Sequence, residues 1–579
     1  MENKMIASVF EEMGNILDIQ GANFFRVNAF RKASITVLNL PNDLSSVVNS
    51  DPKSIVKIPG IGKALSDMII ELVQTGECKE HQKMKKSIPE GLLEILKLRG
   101  VGPKKVKLLY LNLAIKSIPE LKDAAEKGLI RTLDGMGEKS EEEILKAIGE
   151  YSLFSTDRHL IGKARREAEK YIEYMRSLEN IKSMQYAGSL RRYQETIGDI
   201  DILVTVDDPA RESKDIMSHF VEYEDVIKVV AEGRTKSSVI LRSGVDVDLR
   251  VVDKDCFGAA LHYFSGDKHH NIRIRDLAKK KGLKVSEYGV FKGDKKVGGK
   301  DEEDIFKAVG LPYITPEIRR DDGEIEYGLK HKKFPEFVEL NDIKGDLHAH
   351  STYSDGDNSL KEMAEEFMRN GYDYCAITDH SAAVGIVGGM DASKIKQQWK
   401  EVDKLNKAFG EKFKIFKGCE VDILKDGSLD FSDDILNELD IVIVSAHLHG
   451  RIDPDDQTKR LIRAAEHPSS MIMGHPTGRL LNKRAAMKFD LEKVIDACVA
   501  NNVALEINSS PERLDLSEKH IKMAKDKGAK FAINTDAHGF SDMKNMEFGV
   551  GMGRRGWLEP KNVLNTYSLR DLTAYFKSI

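Results

Sequence analysis

YAGSLRRYQETIGDIDILVTV, residues 186–206, is the stretch on which the reading of this chain turns. The run DIDILVTV has the β-branched, alternating texture of a strand, and a spacing of two places Asp199 and Asp201 on one face of it. Upstream, Gly188 and Ser189 open a turn after a short strand. Downstream, VDVDLRVV at 245–252 supplies a third carboxylate, from Asp246 or Asp248. Carboxylates gathered on one side of a sheet hold two divalent cations, which nucleotidyl transfer uses to activate an attacking 3′-oxygen and to neutralise departing pyrophosphate. Ser189, Arg192 and Gly198 then offer a hydroxyl, a guanidinium and an amide to a triphosphate. An Asp-x-Asp pair by itself is usually a solvated strand face. The upstream Gly-Ser turn and the later acidic strand set this pair apart.

On the N-terminal side the texture is helical to about residue 151, with short segments punctuated by Gly and Pro. IPGIGKAL at 58–65 and LRGVGPKKV at 98–106 repeat an apolar-Gly-apolar-Gly turn before a helix, and LDGMGEKS at 133–140 is a looser third copy. Gly60 and Gly62, like Gly100 and Gly102, let backbone approach a phosphate while the amides of the next helix point at it. Lys63, next after Gly62, and Lys104, two after Gly102, are candidate phosphate contacts. Such a turn grips the nucleic-acid backbone without reading sequence. A single Gly-x-Gly turn often serves helix geometry alone, so the repetition carries the argument.

The length of 579 residues exceeds what one hydrophobic core supports, so several domains are expected. The charged content of 32% fits a soluble globular chain; no apolar run suggests a membrane span, and Glu11 and Glu12 interrupt any apolar leader. Five cysteines without a C-x-x-C pair argue against disulfides and thiolate zinc sites, and point to a cytoplasmic protein. A net charge of −5 does not by itself suggest a nucleic-acid partner.

Beyond about residue 340, seven apolar strand candidates alternate with helical segments: IKGDLHAH, YDYCAITDH, FKIFKGCEV, IVIVSAHLH, SMIMGHP, VALEINSS and AKFAINTDAH. This alternation implies a parallel sheet, open or closed into a barrel. Nearly every strand ends in His, Asp or Glu, at the end where barrel enzymes assemble their sites. Nine such side chains form a candidate metal-ligand set: His348, His350, Asp355, His380, Glu420, His447, His475, Asp536 and His538. Nine donors exceed one ion's needs, so up to three are expected, and mixed nitrogen and oxygen suits Mn²⁺, Zn²⁺ or Fe²⁺ better than Mg²⁺. His449 and His467 lie off this pattern and read as ordinary surface histidines; Arg479 is a weaker phosphate candidate.

The Gly-Ser turn and paired aspartates resemble the X family of DNA polymerases, and LHYFSGDKHHNIRIR at 261–275 resembles that family's tyrosine-phenylalanine-threonine-glycine segment, with Ser265 at the threonine position. The resemblance makes Asp248 the third metal ligand and Asp246 a neighbour. It places Tyr263, Phe264 and Gly266 against the incoming nucleotide, and Asn271 and Arg275 toward the minor-groove edges of the nascent pair and template. The lysine that forms a Schiff base in lyase-active members is replaced by Met68, so no lyase activity is expected. Residues 341–579 resemble the PHP domain, which implies a distorted (β/α)7 barrel and phosphoester hydrolysis.

The expected architecture is multidomain, α+β and α/β. It comprises helix-hairpin-helix domains at 1–80 and 81–150, a polymerase-beta-like nucleotidyltransferase palm at 151–260, a thumb-like subdomain at 261–316, a linker at 317–340 and the PHP barrel at 341–579. Two Mg²⁺ or Mn²⁺ are expected in the palm. The expected partners are deoxynucleoside triphosphates and gapped or nicked DNA with a 3′ primer end and a 5′ phosphate, bound by a monomer away from membranes. The resemblance implies gap-filling synthesis with 3′-5′ trimming, in base excision repair. Two other readings stand beside it: a small-molecule phosphatase fused to a nucleotidyltransferase, and a DNA-binding scaffold.

Overall fold

The computed structural model describes residues 3–38, 40, 44–76, 78–89, 91–98, 100–154, 158–450 and 452–577. The chain forms two compact units, residues 1–156 and 157–579. Among the described residues no helix is long and apolar enough to cross a membrane.

Among the described residues the regular structure of the first unit is all helix, and its three glycine turns share one geometry. Helix α1 (Lys63–Thr75) starts after Gly62, α2 (Pro103–Leu113) after Gly102 and α3 (Glu138–Phe154) after Gly137. Two residues before each of these glycines, Gly60, Gly100 and Gly135 take φ of 88°, 77° and 78°, a region that favours glycine. The intervening apolar residues Ile61, Val101 and Met136 are buried. Nothing lies within 4 Å of a Cβ added to Gly62, Gly102 or Gly137, so the backbone there faces open space. The looser third copy therefore folds like the other two.

In the second unit, helix α4 (Ile161–Met175) buries Ala164, Ala168 and Tyr171 against a five-stranded sheet. The strands are β1 (Ser183–Tyr186), β2 (Asp199–Val206), β3 (Val226–Glu232), β4 (Lys236–Leu241) and β5 (Asp246–Asp253). Their order is β1-β2-β5-β4-β3, with only β2 and β5 parallel. Ile200, Ile202, Val204 and Val206 of β2 point into the core, which leaves Asp199 and Asp201 on the opposite face. Helix α5 (Phe257–Ser265) covers the far end of that face, packing Ala260 and Leu261 on Leu203. Helix α6 (Lys268–Lys280), a small antiparallel sheet within 284–298 and helix α7 (Glu302–Val309) complete this part.

Residues 317–340, whose charge and Pro335, with Pro316 just before, suggest a linker, are folded rather than extended. Arg319 is fully buried and donates to Glu302 (2.7 Å) and the Ile314 carbonyl (2.8 Å). Helix α8 (Glu324–His331) begins with buried Glu324, 2.7 Å from His270. A buried charge persists where a partner meets it, and both acids have one.

All seven expected C-terminal strands form: β6 (Gly345–Asp346), β7 (Tyr374–Ile377), β8 (Lys414–Asp422), β9 (Ile441–Ser445), β10 (Ile472–Met473), β11 (Ala504–Asn508) and β12 (Phe531–Asn534). They are parallel and follow sequence order. A bridge between Ala349 and Ala537, with the His350 amide donating to the Ala537 carbonyl at 2.8 Å, joins the chain after the first strand to the chain after the last. The result is a nearly closed barrel. Its packing is continuous with the palm, since one hydrophobic cluster holds both Ile200 of the palm and Ile507 of the barrel.

Candidate active sites

The palm brings its acids together through strand register. Parallel pairing sets Asp201 beside Asp248 and Asp199 beside Asp246, so all four side chains share a face. Asp248 accepts from the Ser238 hydroxyl (2.5 Å) and pairs with Lys236 (2.7 Å), whereas Asp246 is exposed. Burial, then the charges of Asp199 and Asp248, push the Asp201 carboxyl up to about 7. Such a group favours a proton or a cation beside it.

The Gly-Ser turn lies directly against these acids. A Cβ on Gly188 would sit 2.5 Å from Asp201 Oδ2, and Gly188 has φ of 63°, so the position demands glycine twice over. Ser189 and Arg192 follow on the same short helical turn, and Arg192 donates to the Ser265 carbonyl. Burial, only partly offset by Asp267, lowers the Arg192 guanidinium to about 10, and its Nε makes no hydrogen bond. Gly198 precedes the acidic strand, with the Arg158 guanidinium 3.1 Å from the position of a Cβ.

In the thumb-like region, Phe264 lies under Arg250 at 4.4 Å and edge-on to Tyr263. Asn271 is buried, and its amide donates to the carbonyls of Tyr263 (2.7 Å) and Gly266 (3.3 Å), so here it braces the turn. Arg275 is exposed. A buried triad that sequence reasoning missed ties this region to the palm: Glu302 takes Arg191 and Arg319, each at 2.7 Å. Burial opposes the charge on Glu302, but the two arginines hold its carboxyl well below the usual range. Arginine and glutamate in ordinary helical sequence carry no signal for such long-range pairing.

In the barrel all nine expected ligands converge. Glu420 lies at the centre, within 3.4 Å of nitrogens from His348, His380, His447 and His475. His350 sits 3.1 Å from Asp536, and Asp355 lies 3.4 Å from His538 and 3.7 Å from His380. Among the described residues three donor groups result: His350, Asp355, His380 and His538; His348, His350 and Asp536; His380, Glu420 and His447. Both Glu420 oxygens, His348 Nε2, His350 Nδ1, Asp355 Oδ1 and His380 Nδ1 are buried without a hydrogen bond. Buried donors and acceptors left unpaired are costly, and cations at this centre would satisfy them.

A surrounding layer orients these ligands. Glu506 receives the His475 amide and lies against His348 Nδ1, both at 2.7 Å, and Asn534 donates to it at 3.0 Å. Asp422 holds His447, and Asn508 donates to Asp536. Sequence reading missed these three, although Glu506 interrupts an apolar strand and Asp422 follows Glu420 by two on one face. His467 pairs with Asp433 at the surface, away from the cluster. Arg479 is not free to meet a phosphate: it donates to Glu195 of the palm (2.6 Å) and to the Arg513 carbonyl (2.9 Å).

A sheet carrying clustered acids beside a Gly-Ser turn, continuous with a histidine-lined barrel, defines a two-site phosphoester enzyme of the X-family polymerase and PHP class. Family models agree in chain order: helix-hairpin-helix domain at residues 1–78, SAM-like helix-hairpin-helix tandem at 92–150, DNA polymerase beta thumb at 260–320 and PHP domain at 346–510. The last match stops short of Asp536 and His538, which the final strand delivers to the same centre. The chain is 40% identical over 582 residues, the full length of both, to the DNA polymerase/3′-5′ exonuclease PolX of Bacillus subtilis. It is 25% identical to DNA polymerase lambda of Rattus norvegicus, over 55% of this chain and 56% of that one. A probable phosphatase of Thermoanaerobacter sp. is 30% identical over 38% of this chain and 89% of its own length. The chain belongs to the PolX family of DNA polymerase/3′-5′ exonucleases.

Proposed function

We propose that the chain fills short gaps in DNA from the palm and trims 3′ ends in the barrel, in base excision repair. The observation that carries this reading is the pairing of two cation-ready centres in one compact unit: the Asp199, Asp201 and Asp248 face and the cluster around Glu420. Asp199, Asp201 and Asp248 would hold two Mg²⁺ or Mn²⁺, which would supply Lewis-acid chemistry for nucleotidyl transfer. Ser189, Arg192 and the Gly198 amide hold the triphosphate, Tyr263, Phe264 and Gly266 line the nucleotide, and Asn271 and Arg275 face the nascent pair. To do so, Asn271 would have to release the carbonyls of Tyr263 and Gly266. The barrel centre would hold up to three Mn²⁺, Zn²⁺ or Fe²⁺, with Glu420, Asp355 and Asp536 offsetting their charge and the six imidazoles donating nitrogen ligands. The test is a 5′-labelled primer across a one-nucleotide gap, with Mg²⁺ or Mn²⁺. The primer lengthens with deoxynucleotides and shortens without them; no change in either metal sinks the reading.

A small-molecule phosphatase is a second reading for the barrel, favoured by its likeness to the probable phosphatase. Rapid hydrolysis of p-nitrophenyl phosphate with negligible degradation of single-stranded DNA would select it. The lyase position, Met68, packs against the helical core, and no borohydride-trapped DNA adduct is expected.

The hairpins make their own prediction. In Gly62→Val with Gly102→Val the new side chains point into open space, so the fold loses about 1 kcal/mol per cap. Gapped-DNA affinity, read by fluorescence anisotropy, drops roughly tenfold because phosphates no longer reach the amides. Unchanged affinity would remove these turns, with Lys63 and Lys104, from the DNA interface. Glu506→Gln is expected to lower 3′-end degradation about 10- to 100-fold with primer extension intact, since a neutral amide no longer fixes His348.

A further inference from the structure

The loop carrying Ser189, Arg192 and Gly198 rests its outer side on the barrel domain. Arg555, at the end of helix α9 (Met546–Arg555), is buried and donates to the Arg192 carbonyl at 3.1 Å. Arg555 is fixed in turn by Glu518 at 3.2 Å. One turn earlier in α9, Gly551 leaves room for the Tyr193 ring: a Cβ there would sit 2.5 Å from Tyr193 Cγ. Tyr193 has φ of 51°, a conformation that a bulky residue keeps only where its surroundings impose it. Glu547, at the start of α9, pairs with Arg165 at 2.7 Å, and Arg165 also donates to the Tyr186 hydroxyl beside the loop. Arg479, in the loop that follows His475, holds Glu195. Arg192, Tyr193 and Glu195 are thus each held by the barrel domain.

We propose that Gly551, Arg555 and Arg479 are positioning residues for nucleotide binding in the palm, so that the barrel domain sets polymerase affinity through its fold, apart from its metal centre. The proposal rests on the reading of Ser189, Arg192 and Gly198 as triphosphate contacts. An ångström of loop displacement misaligns donors that must meet phosphate oxygens together, and this appears as weakened nucleotide binding. Helix α9 itself tolerates alanine better than glycine, so Gly551→Ala presses on Tyr193 without weakening its own helix.

The experiment measures single-nucleotide insertion into a one-nucleotide gap and 3′-end degradation on the same full-length preparations. Gly551→Ala and Arg555→Met are expected to raise KM for the deoxynucleotide at least fivefold, with a smaller change in kcat and nuclease rates within twofold of wild type. Arg555→Lys, which keeps one donor, is expected to fall between. Arg192→Ala serves as the reference. If it raises KM while Gly551→Ala and Arg555→Met do not, the positioning role is overturned and the triphosphate reading stands. If Arg192→Ala leaves KM unchanged, the triphosphate reading fails and takes the proposal with it. Parallel loss of both activities in both variants would assign these contacts to overall stability and likewise overturn the proposal.

Discussion

Glu420→Gln is expected to abolish 3′-end degradation while leaving primer extension within about twofold of wild type. The carboxylate is fully enclosed, neither oxygen makes a hydrogen bond, and four imidazoles surround it. Burial opposes its charge, yet His447, His380 and His348 hold it well below the usual carboxylate range. Glutamine keeps the shape but removes the charge that balances clustered cations, and turns an NH₂ toward them. The loss therefore exceeds the roughly 10- to 100-fold typical of an outer-layer partner. Two measurements check it: decay of a 5′-labelled single strand, and the metal content of the purified protein, which falls together with activity. Full nuclease activity in this variant would remove Glu420 from the site.

The second large effect belongs to Asp201. Asp201→Asn is expected to eliminate primer extension with degradation intact, because the central carboxylate of the palm face is lost. Its effect on stability runs the other way. The folded carboxyl titrates near 7, above the unfolded value, so the folded state binds the proton more tightly. Stability from this group is present at low pH and is lost as pH rises from about 4 through 7. Removing the charge therefore stabilises the metal-free protein more at pH 8 than at pH 5, by a few kcal/mol at most. Thermal melts at the two pH values, with chelator and then with Mg²⁺, check this; Mg²⁺ narrows the gap by stabilising the wild type alone. An unstabilised variant at pH 8 would mean that Asp201 is not strained by its neighbours.

Much of this arrangement was legible in one dimension because its chemistry sits at strand ends. His348 and His350, Glu420, and Asp536 with His538 each follow an apolar run, and a strand fixes where its own terminal side chains point. The same local rule placed Asp199 and Asp201 on one face. The hairpins were legible because a turn of two glycines is itself local.

Other features had no local signature. Glu506 and Asp422 look like interruptions of apolar strands until the barrel closes and sets them behind His348 and His447. In the Arg191, Glu302 and Arg319 triad, Arg191 is more than a hundred residues from the other two, and the charged stretch around Arg319 suggested a linker because no period of strand or helix pairs it with Glu302. Arg479, which sequence offered to phosphate, is occupied by Glu195, and Asn271, offered to the nascent pair, is turned inward on Tyr263.

By itself, then, the sequence determined which side chains gather at the two centres and on which elements they stand, since the periods of strand and helix are set within a few residues. Only the tertiary structure decided how those side chains are charged, braced and shared between palm and barrel. Those properties depend on burial and on partners brought together by packing across hundreds of residues, which no local period encodes.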